Sequence, residues 1–151
     1  MPVFRARVES LQQSGVLLRV RVGVGVAAEA AIRRAGREPP EPAEVEAMVD
    51  IGAGRSLIRA GLARRLGLTP VGRVEIDTPS STNLDAAEYE VRFWLSHEFA
   101  VESDALEARL PGHDLGALLG RDVLAGAKLE YDGPRDEFSL TFEVPPGPRT
   151  R

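Results

Sequence analysis

Alternation of apolar and polar residues with a period of two recurs along this chain and predicts β-strands. It is clearest from Leu18 to Val24, where apolar residues alternate with Arg19, Arg21 and Gly23. About seven short strands separated by turns favour a mainly β protein built as a closed or folded-over barrel. The other predicted strands cover residues 45–49, 73–78, 89–95, 97–103, 128–131 and 137–142.

Three segments favour short helices. Residues 27–36 have helical composition and end at Gly36, which is typical of a helix C-terminus. Residues 57–66 carry an apolar stripe at helical spacing, and Ser56 is placed to cap this helix. Residues 121–125 favour a single helical turn.

The length of 151 residues suits one domain. We expect a single domain over residues 1–143, with the helix and proline-rich loop of residues 27–44 as an insert. Residues 144–151 have almost no apolar content, so we expect a flexible tail there.

Composition and charge exclude several classes of function. The chain has no cysteine, which excludes disulfides, thiol nucleophiles and cysteine-based metal sites. Its two histidines cannot form a three-histidine zinc site within one chain. The net charge of −4 provides no basic field, so we expect no nucleic-acid partner.

The chain also lacks a segment typical of membrane insertion or secretion. The longest apolar stretch near its start, residues 15–28, is interrupted by Arg19 and Arg21. The N-terminal residues carry arginines where a signal peptide needs an apolar core. We therefore expect a cytoplasmic protein with no membrane partner.

Residues 23–28 match the pattern G-x-G-x-x-A between a predicted strand and a predicted helix, as in a dinucleotide-binding fingerprint. The arginines in the strand, the prolines after the helix and the later hairpins argue against such a fold, and favour a surface helix instead. A second alternative would combine His113 and Asp114 with Ser56 as nucleophile. No G-x-S-x-G motif supports it, which favours ordinary loop residues.

The segment AMVDIGAGRSLI, residues 47–58, places Asp50 at the end of an apolar strand and inside a glycine-rich turn. Glycine lets backbone N–H groups approach a carboxylate closely, which positions the carboxylate for general acid–base chemistry. An acid that stabilises a helix N-terminus would show the same local pattern. The segment alone leaves both interpretations open.

A second motif, ALLGRDVL at residues 117–124, lies far downstream of Asp50. With both motifs, the chain resembles the retropepsin-like aspartic proteases, and most closely a bacterial branch of single-domain, retroviral-type enzymes. Residues 76–81 and 89–91 also resemble the flap hairpin of that branch. The two motifs match the family at Val49, Asp50, Gly52, Ala53, Leu118, Leu119, Gly120, Arg121, Asp122 and Leu124.

The resemblance implies a closed β-barrel with one or two short helices that acts as a homodimer on a peptide or protein substrate. It implies an aspartic peptidase that needs no cofactor and no metal, with Asp50 as the catalytic residue. The implied active-site loop is Ile51, Gly52, Ala53 and Gly54. The implied flap residues are Thr78, Pro79, Ser80 and Ser81. The implied structural support is Leu118, Leu119, Gly120, Arg121 and Asp122.

By the same resemblance, a buried Arg121 would brace the active-site loops. A surface ion pair between Arg121 and Asp122 is the alternative. Two positions depart from the family pattern: Ile51 replaces a threonine, and Gly54 replaces a serine or aspartate.

In the family, the threonine hydroxyls of two subunits hydrogen-bond to each other beneath the aspartates. The side chain of Ile51 cannot form this bond. Two functions therefore stay open: an active aspartic endopeptidase, or a weakened or inactive dimer that binds peptides or serves assembly.

Overall fold

The computed structural model describes residues 1–78, 81–110 and 114–143, with the backbone alone for residues 76–78 and 81–84. Ten strands and four short helices occur in these ranges. The strands are β1 Val3–Arg7, β2 Val16–Val24, β3 Ala43–Val49, β4 Leu57–Arg59, β5 Gly72–Thr78, β6 Ser81–Trp94, β7 Ala100–Ala108, β8 Leu115–Leu119, β9 Ala127–Asp132 and β10 Glu137–Phe142. The helices are α1 Leu11–Ser14, α2 Val26–Arg34, α3 Leu62–Arg65 and α4 Arg121–Leu124.

Six strands close into a barrel in the order β2-β3-β8-β4-β7-β6, and pairing of β2 with β6 completes the circle. The pairs β3–β8 and β4–β7 are parallel, and the other pairs of the barrel are antiparallel. The predicted mainly β, closed-barrel fold is therefore confirmed.

The barrel encloses the hydrophobic core, as the period-two patterns predict. Val20 and Val22 of β2 face inward, as do Val91 and Phe93 of β6, and all four are almost fully buried. Each such side chain contributes roughly 1.5–3 kcal/mol by leaving water. The five residues of β8 are all buried, so this strand crosses the centre of the structure.

A smaller sheet, β1-β10-β9, packs against the barrel. Phe4, Phe99 and Phe142 form its aromatic contact with the barrel, with ring centroids 5.0–6.0 Å apart. The strands predicted over residues 128–131 and 137–142 are confirmed as β9 and β10, which pair as a hairpin. Strand β1 was not predicted, although its burial alternates along the strand.

The strands predicted over residues 73–78 and 89–95 belong to β5 and β6, which form a long hairpin with Thr78 paired to Ser81 near its tip. Strand β6 is longer than predicted and starts at Ser81. It pairs with β7 only from Glu88 onward. The strand predicted over 97–103 is shifted, because β7 runs from Ala100 to Ala108.

The prediction of one helix over residues 57–66 is wrong. Leu57 and Ile58 lie in β4, where they pair with β8 on one side and β7 on the other. Gly61 has a φ of +93°, a conformation that interrupts the chain before the short helix α3. Pairing with a strand on each side of β4 stabilises the extended conformation and outweighs the helical spacing of the apolar residues.

The dinucleotide-binding alternative is also excluded by the fold. Strands β2 and β3 are antiparallel, so they form no βαβ unit. Carboxylates also occupy the N-terminus of α2. Glu102 accepts the N–H of Val26 at 3.3 Å, and Glu90 accepts the N–H of Ala27 at 3.4 Å. These charges would repel a pyrophosphate at that position.

Helix α2 lies on the barrel surface through polar contacts. Arg92 of β6 donates to the carboxylate of Glu29 and to the carbonyl of Val24. This hydrogen bond from Arg92 lowers the pKa of Glu29 below its usual value, with a smaller contribution from Arg33. No helix within the described ranges is long and apolar enough to cross a membrane.

Candidate active site

Asp50 lies directly after β3 and begins the loop of residues 50–56 that connects β3 to β4, the Asp50 loop. Its backbone N–H donates to the carbonyl of Leu119 at 2.9 Å, which ties Asp50 to the end of the parallel strand β8. Its carboxylate oxygen Oδ1 accepts the N–H of Gly52 at 2.8 Å. A Cβ atom at position 52 would lie 3.1 Å from the same oxygen, so glycine permits this close approach.

A second loop, at the start of α4, packs directly against the Asp50 loop. The backbone N–H of Arg121 donates to the carbonyl of Ala53 at 2.8 Å. A Cβ atom at position 120 would lie 2.7 Å from the carbonyl of Arg55 and 2.9 Å from that of Ala53. Only glycine at position 120 allows the two backbones to approach this closely.

Arg121 reinforces the contact between the two loops through its side chain. Its Nη1 donates to the carbonyl of Ile51 at 2.8 Å. The side chain is exposed, so the expectation of a buried arginine is wrong, although the contact with the Asp50 loop exists. Among the described side chains, Arg121 forms no ion pair with Asp122, so the alternative of a surface ion pair is also wrong. Asp122 instead accepts hydrogen bonds from Ser56 and Ser103.

Asp122 sits at the centre of a hydrogen-bond network. Ser56 donates its hydroxyl to Oδ1 at 2.7 Å and its N–H to Oδ2 at 3.0 Å. Ser103 of β7 donates its hydroxyl to Oδ2 at 2.6 Å, and the N–H of Val123 also donates to Oδ1 at 2.8 Å. The hydroxyl of Ser56 in turn accepts the N–H of Gly120 at 3.0 Å.

This network favours the charged form of Asp122. Burial by itself would raise the pKa of this carboxyl group, because it removes charge from water. The hydrogen bonds from Ser103, Ser56 and the N–H of Val123 outweigh burial and hold the pKa below its usual value. Asp122 therefore serves as a charged anchor for the Asp50 loop, β7 and α4.

No family model matches the chain, and no curated protein matches it. Among solved structures, the chain is similar to a retropepsin-like aspartic protease from Rickettsia conorii. The TM-score is 0.51 and the identity 16%, over 92% of this chain and 91% of that chain. It is also similar to EIAV protease complexed with the inhibitor HBY-793, with a TM-score of 0.48 and 16% identity, over 78% of this chain and 92% of that chain.

The chain has a retropepsin-like fold. The residues from both sequence motifs meet within this retropepsin-like barrel, because the parallel strands β3 and β8 end side by side. Leu118 and Leu119 of β8 are buried, and they lead directly into Gly120 and the α4 turn.

Ile51 is the most unusual residue of the site. The residue is 67% exposed in the single chain, although it is large and apolar and lies next to Asp50. A Cβ atom at position 54 would lie 3.5 Å from Nη2 of Arg121, which is an ordinary van der Waals distance, so the structure does not require glycine there.

Two of the predicted flap residues, Thr78 and Ser81, lie at the far end of the β5–β6 hairpin. Thr78 and Ser81 pair through their backbones there. Pro79 and Ser80 lie outside the described residues, so their predicted role stays a prediction.

The alternative that uses Ser56 as a nucleophile does not fit the structure. Ser56 is fully buried and its hydroxyl is held by Asp122 and Gly120. His113 lies outside the described residues, and His97 is exposed. Within the described ranges, no group of three or more acidic or histidine side chains is arranged to hold a metal ion.

Sequence reasoning missed three residues that support the site. Ser56 and Ser103 hold Asp122, and Arg55 contacts β6 and β7 from the Asp50 loop. Ser56 lies within the segment 47–58 that contains Asp50, but the expectation of a helix there assigned it a capping role. Ser103 carries no local pattern, since only the pairing of β7 brings it to Asp122.

Proposed function

We propose that this protein is an aspartic endopeptidase that acts as a homodimer through two Asp50 side chains. The observation that carries the proposal is the position of Asp50. It follows a barrel strand in a glycine-rich loop, with its carboxylate held by the N–H of Gly52. The Gly120–Asp122 turn of the second motif packs against that loop.

The proposed reaction needs two carboxylates, and one chain supplies one of them in this motif. A twofold dimer supplies both from the same surface of each copy. The exposure of Ile51 supports a contact at this point, because covering a 67% exposed apolar residue with a second copy removes apolar surface from water and stabilises the dimer.

The two aspartates would share one proton, since two like charges a few ångströms apart cannot both stay ionised. The ionised carboxylate takes a proton from a water molecule, and the water oxygen attacks the carbon of the peptide carbonyl. The protonated carboxyl group stabilises the negative charge that develops on the carbonyl oxygen. Cleavage of the C–N bond with proton transfer to nitrogen releases an amine and a carboxylic acid.

The β5–β6 hairpin would cover the bound peptide. An extended peptide can add backbone hydrogen bonds to neighbouring strands, which gives binding that depends little on side chains. We propose that the hairpin end containing Thr78 and Ser81 makes these contacts.

Ile51 favours a second candidate function, a weakened or inactive dimer that binds peptides or serves assembly. The isoleucine side chain cannot form a hydrogen bond beneath the aspartates, and each such bond is worth roughly 1 kcal/mol. A displacement of about 1 Å at a catalytic group can cost on the order of 100-fold in rate. The fold therefore tolerates Ile51 more readily than catalysis does.

Cleavage of a peptide library from acidic to neutral pH tests the proposal, with wild type and Asp50→Asn measured side by side. Asparagine keeps the oxygen that accepts the N–H of Gly52, so the loop should keep its shape. We expect cleavage by wild type only, with a bell-shaped pH dependence because one shared proton is required.

Equal cleavage by Asp50→Asn would refute the proposed mechanism. A chelator should leave the activity unchanged, and its loss in EDTA would indicate a metal-dependent reaction instead. If no peptide is cleaved while the protein binds peptides as a dimer, the second candidate function is correct.

A further inference from the structure

Arg55 connects the Asp50 loop to two strands of the barrel. Its guanidinium Nη2 lies 2.7 Å from Oε2 of Glu88 in β6 and donates to the backbone carbonyl of Asp104 in β7 at 2.5 Å. The side chains of Arg55 and Glu88 are 37% and 20% exposed, so water screens this ion pair less than it screens the more exposed ion pair of Arg73 with Asp85.

The backbone of Arg55 is fixed on the side of the Asp50 loop. The next residue, Ser56, is fully buried and bonded to Asp122 through both its N–H and its hydroxyl. The carbonyl of Arg55 packs against Gly120, where no space exists even for a Cβ atom. The guanidinium group therefore extends from a rigid part of the loop.

Glu88 lies at the base of the β5–β6 hairpin. It pairs with Gly72 of β5 on one side and with Leu106 of β7 on the other, and its carbonyl accepts the N–H of Val71 at 2.7 Å. Within the described ranges, the strand pairing of residues 72–78 and 81–87 is confined to the hairpin itself. A two-stranded hairpin is marginally stable alone, so its orientation depends on its base.

We propose that Arg55 is a positioning residue that fixes the base of the β5–β6 hairpin relative to the Asp50 loop through Glu88. This connection consists of two charged groups, one on the rigid loop and one at Glu88, the first residue of β6 that pairs with β7. Its effect on peptide binding rests on the proposed function, whereas its effect on the hairpin does not.

The hairpin also contains a suitable control. Arg73 and Asp85 form an ion pair of 2.9 Å between β5 and β6, but their side chains are 62% and 53% exposed. This ion pair has similar chemistry, and it joins two strands within the hairpin. It provides no link to the Asp50 loop.

Amide hydrogen exchange of the substrate-free protein tests the proposal. Arg55→Gln and Glu88→Gln should each accelerate exchange in the segment 72–87 by about threefold or more, whereas Asp85→Asn should change it less. The double variant Arg55→Gln/Glu88→Gln should exchange no faster than either single variant, because both remove the same contact. Glu88→Gln preserves the side-chain shape and supplies the test on its own if Arg55→Gln does not fold.

Unchanged exchange in 72–87 for both single variants would overturn the proposal. So would additive effects in the double variant, or an equal effect of Asp85→Asn. Acceleration across the whole chain would also overturn it, since that result indicates general destabilisation.

A kinetic measurement extends the test to peptide binding. If the protein cleaves peptides, Arg55→Gln should raise KM about threefold or more and leave kcat nearly unchanged, because the Asp50 loop keeps its contacts to Gly120 and Asp122. Arg55→Lys, which preserves the charge, should recover part of the loss. A fall in kcat alone would contradict the positioning role. Failure to detect any cleavage would refute the endopeptidase and leave the hydrogen-exchange result to decide on Arg55.

Discussion

At the scale of single residues, Ile51 decides between the two candidate functions. We predict that Ile51→Thr raises kcat/KM by about 10-fold, because a hydroxyl at this position would hold the two aspartates in a better geometry. The dimer should become slightly less stable, since apolar area is lost at about 25 cal/mol per Å². The measurement compares wild type and Ile51→Thr on one peptide pool, with Asp50→Asn as the inactive control.

A rate that stays level or falls in Ile51→Thr would contradict this prediction. It would mean that the site has adapted to isoleucine and offers the threonine hydroxyl no partner. If both forms dimerise and neither form cleaves a peptide, the result favours the second candidate function, an inactive dimer.

Gly120 governs the contact between the two loops of the site. We predict that Gly120→Ala lowers the free energy of unfolding by roughly 1–3 kcal/mol, because its Cβ would lie 2.7 Å from the backbone of Arg55. Urea unfolding measures this change. Gly126→Ala is the control, since no atom lies within 4 Å of a Cβ there, and an equal loss in both variants would argue against the close contact.

At the scale of elements, Asp122 joins the Asp50 loop, β7 and α4. We predict that Asp122→Asn lowers the free energy of unfolding near neutral pH by about 1–3 kcal/mol. An amide nitrogen cannot accept the hydrogen bonds that a carboxylate oxygen accepts from Ser103 or Ser56. Urea unfolding of wild type and variant at the same pH measures the difference.

The pH dependence of this difference follows from the lowered pKa of Asp122. A carboxyl group with a lowered pKa in the folded state stabilises the fold fully above its ordinary value of 3.8. This contribution is lost as the pH falls through 3.8 toward the lower pKa of the folded protein. Between about pH 6 and about pH 3, wild type should therefore lose more stability than Asp122→Asn. If the free energy of unfolding falls equally with pH in wild type and Asp122→Asn, the role of Asp122 as a charged anchor is contradicted.

At the scale of the whole molecule, the proposed chemistry requires two chains. We predict a dimer of about twice 16.3 kDa, with an interface of roughly 1,200–2,000 Å² or more. Ile51→Asp should shift the protein toward monomer, because it would bury a charge at the proposed interface. Sedimentation velocity measures both forms.

Val71→Asp is the control for this experiment. Val71 is also an exposed apolar residue, at 57%, but it lies at the base of the hairpin and away from the Asp50 loop in sequence. If the protein is a monomer at a concentration of about tens of micromolar and still has full activity, two chains do not share the active site. A specific dimer with a dissociation constant below this concentration would be populated under these conditions.

The strands could be predicted from the sequence wherever one face of the strand is buried in the core. In β2 and β6, every second side chain packs into the core, so apolar and polar residues alternate along the sequence of these strands. Strand β4 was not predictable, since Leu57 and Ile58 match a helix equally well until β7 and β8 provide partners on both sides. The extension of β6 back to Ser81 likewise depends on its pairing with β5.

The sequence alone determined the mainly β fold and the two motifs around Asp50 and Gly120, because both depend on residues close together in the chain. Only the tertiary structure decided which groups support the site. Ser103 reaches Asp122 through the placement of β7, and Arg55 reaches Glu88 at the base of the hairpin. Hydrogen bonds and ion pairs of this kind depend on distances between strands, and those distances are set when the barrel closes.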